Sequence, residues 1–298
     1  MNIRYVIAHL LLPITRYEMP GWGRIAKLLG LLDFRIDAKW AGLPHKIVRG
    51  KFHGFRMKLD LGNWSQRTTW FLGRFYELDT QMVIKDLVKE GDTFIDVGAN
   101  IGMITLLASK LVGESGRVFA FEPNPGAYRK LKDSIELNYI VNVDAIQAGL
   151  SDTESTGILS VVGTHDGVGS LATPEARYEE SVTQRHEIVT KIGDRMLQNL
   201  SPQKNLFIKI DVEGYEVKVL KGLAETIGKY RPEILTEIEP AHLERAGSSA
   251  AELIDLMIGY GYAPYNISVV RVPIRYECRL TKIELTGIRG RNVLWKPG

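Results

Sequence analysis

From residue 93 onward the chain alternates short apolar runs with helix-patterned segments, and this rhythm limits the fold more than any other feature. Residues 93–97 read as a strand, 103–111 as a helix, 117–121 as a second strand and 126–138 as a second helix. A third strand is expected over 143–147 and a fourth over 206–210, followed by a helix through Leu220. A fifth strand over 234–238 leads to a helix at about 250–260, and further strands are expected around 265–270, 282–285 and 292–295. Strands joined through helices imply an α/β, doubly wound, mostly parallel sheet, because right-handed crossovers need a helix to cover the sheet face. The run 157–192 breaks the rhythm. It is polar, carries Gly163, Gly167 and Gly169, and reads as an insertion on the substrate side.

Ahead of the rhythm, residues 46–49 and 55–59 suggest an antiparallel strand pair around Gly50, and 80–89 suggest a helix stopped by Glu90-Gly91. The chain therefore divides into an extension, 1–60, and a main domain, 61–298. The extension holds 11 Lys/Arg against 4 Asp/Glu, a net of +7, while the whole chain is only +3. That overall balance argues against a nucleic-acid partner. The apolar patches 5–12 and 25–32 are too short to span a bilayer. Two readings of the extension stand: a helical lid on the main domain, or a basic, Trp-bearing element on an anionic membrane surface. His9, Pro13 and the lack of a small-residue cleavage site speak against a secretory signal, and the single Cys278 fits a reducing compartment. A cytoplasmic location follows, peripheral to membrane if the extension meets lipid. The scattered Cys and His residues give no metal-site spacing.

Ligands of an open α/β sheet bind at the carboxyl ends of strands, where strand order reverses. The first strand of the rhythm ends in Asp96-Val97-Gly98-Ala99-Asn100-Ile101-Gly102. Its glycines allow a sharp turn and close approach of a ligand, Asn100 tolerates a left-handed backbone, and Asp96 is expected at the crevice mouth. The turn departs from G-x-G-x-x-G and contains no G-K-[ST], so no pyrophosphate cradle is evident. Glu122, at the end of the second strand, has the reach for ribose hydroxyls, with helix capping as the plainer alternative. Strand four ends in Lys209-Ile210-Asp211-Val212-Glu213-Gly214-Tyr215-Glu216. Lys209 breaks an apolar strand, and period two puts it on one face with Asp211, so the two are expected to neutralise each other. Glu213 and Glu216 suit the start of the next helix. Glu237 and Glu239 end the fifth strand, and His165-Asp166 lies in the insertion.

These residues carry a resemblance. The run Gly91 to Gly102, Phe121-Glu122-Pro123-Asn124-Pro125, Leu150-Ser151-Asp152, and Ile208 to Glu216 with Val219-Leu220-Lys221-Gly222 resemble the motifs of FkbM-type methyltransferases, as does Tyr76-Glu77 upstream. The resemblance spans about residues 55–260. It implies a class I methyltransferase fold with a seven-stranded sheet whose last strand is antiparallel, and S-adenosylmethionine as methyl donor. It implies Asp96, Gly98, Ala99, Asn100 and Gly102 near the methionine part, Glu122 on the ribose and Asp152 near the adenine. The acceptor it implies is a hydroxyl of a sugar, glycan or secondary metabolite. Asp211 is then the first candidate base, followed by Glu213 and Glu237, with Lys209 orienting Asp211 or stabilising an oxyanion. A nicotinamide-dependent oxidoreductase and a non-catalytic nucleoside-binding module are the alternatives.

Overall fold

Thr93–Val97 (β3) is buried along its whole length, as a strand covered on both faces must be. Ile95 and Val97 point into one core, while Phe94 points into the other and stacks on Phe207 at 5.4 Å. The computed structural model describes residues 3–28, 34–162, 169–170, 182–272, 275–284 and 291–298.

On either side of β3 the sheet is built in two directions. Arg117–Phe121 (β4) and Val143–Ile146 (β5) lie on one side; Leu206–Ile210 (β10) and Glu233–Ile238 (β11) lie on the other. All of these pairs are parallel. Arg291–Pro297 (β14) inserts antiparallel between β11 and Tyr262–Val272 (β12). The expected seven strands and the antiparallel last strand are present, in a class I methyltransferase-like arrangement. An eighth, Arg275–Lys282 (β13), extends the edge as a hairpin with β12. The strand expected at 282–285 instead ends at Lys282, because the hairpin partner of β12 pairs from Arg275 to Lys282, and Leu285 lies outside the described residues.

Lys46–Arg49 (β1) and Arg56–Leu59 (β2) form the expected antiparallel pair. A helix not evident in the sequence, Trp64–Leu72, follows. Asn63 caps it by accepting from the N–H groups of Ser65 and Gln66, and Gly73 ends it in the left-handed region. The irregular stretch after β5 is a second, four-stranded sheet. It consists of Gly149–Ser151 (β6), Ser155–Val162 (β7), Gly169–Ser170 (β8) and Val182–Ile192 (β9), in the order β6-β9-β7-β8. Its polar outer residues hid the alternation of strands with one wet face. His165 and Asp166 lie outside the described residues.

The extension shares a core with the main domain. Ala8, Trp40, Val48 and Met57 pack in one cluster with Trp70, Phe71, Met103 and Leu106. Residue 60 is therefore no boundary in the packing. Glu18 ties the extension down. Its carboxylate accepts from Arg74 at 2.9 Å, from Lys51 at 2.8 Å and from the Tyr276 hydroxyl, while Arg271 donates to its carbonyl. Burial alone would raise its pKa, but the hydrogen bonds from Arg74, Lys51 and Tyr276 outweigh it and hold the group at about 2. The native state thus favours the ionised form. Its contribution is complete above the ordinary carboxylate value of 4.5 and is lost as pH falls from there towards about 2. Urea midpoints measured down this range should fall more for the wild type than for Glu18→Gln, which lacks the titrating group; parallel curves would remove the network from acid stability. No described helix is long and apolar enough to cross a membrane.

Candidate active site

The cleft lies at the carboxyl ends of β3, β4, β10 and β11, where strand order reverses around β3. It encloses about 1380 Å³, the open space at its mouth included.

The turn after β3 forms one wall. Gly98 has φ +78°, and a Cβ there would stand 1.9 Å from the carbonyl oxygen of Asp211. Only glycine lets the first and fourth strands of the rhythm close up at this point. Asn100 sits at φ +51°, as the sequence suggested, and its side chain accepts from the N–H of Ile101 at 2.7 Å. Gly98, Ala99 and Asn100 line the cleft. Gly102 does not: it starts the helix Met103–Val112 at φ +91°, where a Cβ would meet Leu131.

Asp96 also departs from expectation. It is fully buried beneath the turn rather than at the mouth, accepting from the Thr105 hydroxyl at 2.6 Å. The register explains this: Asp96 lies directly beside Lys209 on the neighbouring strand, and the two side chains face the same buried layer. Lys209 Nζ lies 3.5 Å from Asp96 and 3.2 Å from Asp211, and donates to the Gly98 carbonyl at 2.9 Å. One buried ammonium therefore joins the turn, the core carboxylate and the cleft carboxylate. Burial would lower its pKa, but Asp211, Asp96 and Glu77 raise it above the usual lysine range. Lys209 is charged.

Glu122 lines the cleft and spends both oxygens on backbone, accepting from Asn100 N–H at 2.7 Å and Asn124 N–H at 2.8 Å. Asn124, not Glu122, caps the helix Pro125–Leu137. Glu122 thus fixes the turn against β4. Each oxygen keeps a second lone pair for a ligand hydroxyl. Burial pushes its pKa up to about 7, against the lowering pull of those N–H groups. Asp152 lies outside the lining, because β6 carries Gly149 and Leu150 to the cleft and then turns away; Asp152 instead accepts from the Ser151 hydroxyl.

The fourth strand's loop presents Asp211 and Glu213, and β11 presents Glu237. Glu213 is not part of the following helix. It sits at φ +53° with its carboxylate 2.8 Å from His242 Nδ1. Glu216 opens that helix, Glu216–Gly222, and accepts from the N–H groups of Val212 and Gly214, which pins the loop. Glu239 precedes the helix Pro240–Arg245 and does not line the cleft.

Sequence reasoning gave no role to the roof. Trp64, Ser65, Tyr76 and Glu77 cover the cleft from the segment before the rhythm, with the Trp64 and Tyr76 rings 4.8 Å apart. Glu77 accepts from Thr80, whose hydroxyl accepts from Asn292 of β14. Burial first, then Asp211, raise the Glu77 pKa to about 7. Burial also raises Glu237, with Asp211, Glu213 and Glu77 adding to it, to about 8. Nothing in a single sequence marks Glu77, which lies 160 residues from Glu237. Tyr76-Glu77 registers only through the family resemblance.

Comparison with known proteins points to one family. The model of the methyltransferase FkbM domain matches residues 96–264. Methyltransferase 1 of Beauveria bassiana is 32% identical over 147 residues, covering 44% of this chain and 59% of that protein. Hexuronic acid methyltransferase AglP of Haloferax volcanii is 30% identical over 151 residues, covering 51% of this chain and 58% of that protein. The chain thus spans less than two thirds of the length of these relatives. The crystal structure of methyltransferase FkbM from Methylobacillus flagellatus aligns over 94% of this chain and 62% of that one, at 14% identity and a TM-score of 0.38.

The cleft fits the methyl donor of this family. The described lining carries Glu77, Glu122, Asp211, Glu213 and Glu237 against a single cation, Lys209, which is already engaged. Such a surface suits a sulfonium and repels a pyrophosphate, so the nicotinamide alternative is left without support. The Gly98–Asn100 turn and Glu122 would hold the donor. The chain belongs to the FkbM family of methyltransferases, and its cofactor is S-adenosylmethionine.

Proposed function

We propose that the protein transfers a methyl group to a hydroxyl of a sugar or glycan. The observation that carries this reading is the convergence of Glu77, Asp211, Glu213 and Glu237 on one cleft, with two of them held near neutral pH. When bound, S-adenosylmethionine supplies an activated methyl group on a positively charged sulfur. What remains for the chain is to orient an acceptor, exclude water and remove a proton. A hydroxyl must lose its proton at or before transfer, and a base with a pKa near the working pH does this best. Glu237, at about 8, answers that need. Asp211, the first candidate from sequence, is held 3.2 Å from Lys209 and acts in this reading as an acceptor-orienting group. Glu213 is steered by His242 at 2.8 Å. The Trp64–Tyr76 pair offers the aromatic surface on which the apolar face of a sugar ring packs.

The likeness to a hexuronic acid methyltransferase supports a saccharide acceptor. An acidic cleft favours a neutral sugar over a uronate, since the described lining leaves no cation for an acceptor carboxylate. The test is incubation with methyl-labelled S-adenosylmethionine and matched hexosides and hexuronosides. A base-stable methyl ether, formed faster on the neutral sugar, is expected. A base-labile methyl ester would overturn the assignment, because a carboxylate acceptor needs no base. Tight S-adenosylhomocysteine binding without transfer to any of the sugars would favour the non-catalytic module.

A further inference from the structure

The helix Ile3–Arg16 is apolar on two opposite sides, and the structure accounts for only one of them. At 100° per residue, Tyr5, Ala8, Leu12 and Thr15 fall on one face. That face is packed: Tyr5 stacks on Trp70 at 6.0 Å, Ala8 is fully buried, and the Thr15 hydroxyl donates to the Phe71 carbonyl at 2.9 Å. Ile7, Leu10, Ile14 and Tyr17 fall within about 80° of one another on the opposite face. Leu10 is 74% exposed and Tyr17 78%, and Met19 follows at 48%. A helix apolar all round is normally enclosed, and this one is enclosed on one side only.

Charge identifies what covers the other side. Between Ile3 and Leu28 the chain has four basic residues, Arg4, Arg16, Arg24 and Lys27, and one acidic residue, Glu18. Glu18 is turned inward and neutralised by Arg74 and Lys51. The exposed charges of this segment are therefore the cations Arg24 and Lys27, with no exposed carboxylate, so its net charge of +3 equals that of the whole chain and the remainder is balanced. A protein partner of ordinary composition gives no reason for such one-sidedness, whereas a lipid surface with anionic headgroups does.

We propose that the helix Ile3–Arg16 seats the protein on an anionic bilayer surface, with Ile7, Leu10, Ile14 and Tyr17 entering the headgroup boundary. The helix does not have to leave the body to do so. Glu18 and the Thr15–Phe71 and Arg16–Trp70 hydrogen bonds fix its inner face, so its outer face is presented as built. The same inner face packs on the helix Trp64–Leu72, whose first residues, Trp64 and Ser65, roof the cleft. The seat and the acceptor site are thus one helix apart, which suits an acceptor held at the membrane surface.

The experiment is co-flotation of the full-length protein with vesicles of phosphatidylcholine alone or mixed with phosphatidylglycerol. Binding to the anionic vesicles is expected, weakening as salt rises from about 0.1 M to about 1 M and the screening length shrinks from ~10 Å to ~3 Å. Leu10→Glu, at an exposed position that leaves the packed face intact, should lower the bound fraction about tenfold or more through lost apolar insertion and added repulsion. Equal binding to both vesicle types, or an unchanged Leu10→Glu variant, would overturn the proposal. So would a vesicle-free dimer, seen by light scattering, that Leu10→Glu dissociates, since a second copy would then cover the face. Circular dichroism of the variant, expected to match the wild type, confirms that the loss is one of docking and not of folding.

Discussion

Replacing Lys209 by Met should remove about 3–5 kcal/mol of stability, the cost of breaking a buried ion pair from one side. The side chain is 6% exposed, and Asp96 beside it is fully buried. Without the ammonium, Asp96 keeps only the Thr105 hydroxyl, and the Gly98 carbonyl loses its donor. Burial already raises the Asp96 pKa, with Lys209 as the principal opposing influence. Removing Lys209 pushes it higher, so the variant must carry either a bare buried carboxylate or a bound proton. A folded-state carboxyl raised above its unfolded value gives stability that is lost as pH rises. The Met variant should accordingly be weaker at pH 8 than at pH 5. Urea unfolding at both values measures this, and adding Asp96→Asn should restore much of the loss because no charge is then buried alone. A loss under about 1 kcal/mol, or no recovery in the double variant, would mean that the ion pair does not hold the strands together.

The second large effect is on turnover. Glu237→Gln should lower kcat by about 10²–10⁴-fold, the usual contribution of a positioned general base. The proton-accepting form is the ionised one, so wild-type kcat should climb with pH through about 8 and then level. In the Gln variant that limb should vanish. Stability separates this from damage to the fold. Burial and the neighbouring Asp211, Glu213 and Glu77 make the ionised Glu237 costly, so the native state binds a proton that the unfolded chain has already released near pH 7. Its favourable contribution is present at low pH and lost as pH rises through about 8. A neutral Gln escapes that loss and should melt at or above the wild-type temperature in alkali. An unchanged kcat, or a surviving pH limb, would move the base to Glu77 or Asp211.

The two variants probe residues that the sequence showed with different clarity. The strand ends were legible because a doubly wound sheet must bury β3, β4, β10 and β11, and buried strands are short unbroken apolar runs. For the same reason the turn 98–102 stood out, since glycine and asparagine at those positions mark a backbone that must turn sharply against a neighbour. Lys209 and Asp211 were legible as a pair because period two is a local property of one strand.

Everything that depended on register or on distant segments was not. Lys209 meets Asp96 only because β10 pairs with β3 in one register; a shift of one residue would turn the two side chains to opposite faces. Glu122 looked free to meet a ligand, and the fold bonds one of its oxygens to the turn at Asn100 and the other to the backbone of its own loop at Asn124. Glu77 and Glu237 acquire their raised pKa values from burial in the cleft first and from the nearby Asp211 second, and no local pattern carries either. The polar sheet β6–β9 escaped notice because its outer face offered no apolar signal. The sequence by itself determined which segments become the strands and helices of the doubly wound sheet and which carboxylates stand at the strand ends, because those follow from local periodicity and steric freedom. The tertiary structure alone decided which charges are partners, which oxygens are spent and which apolar face of the helix Ile3–Arg16 is left open, because each of those is a contact between residues far apart in the chain.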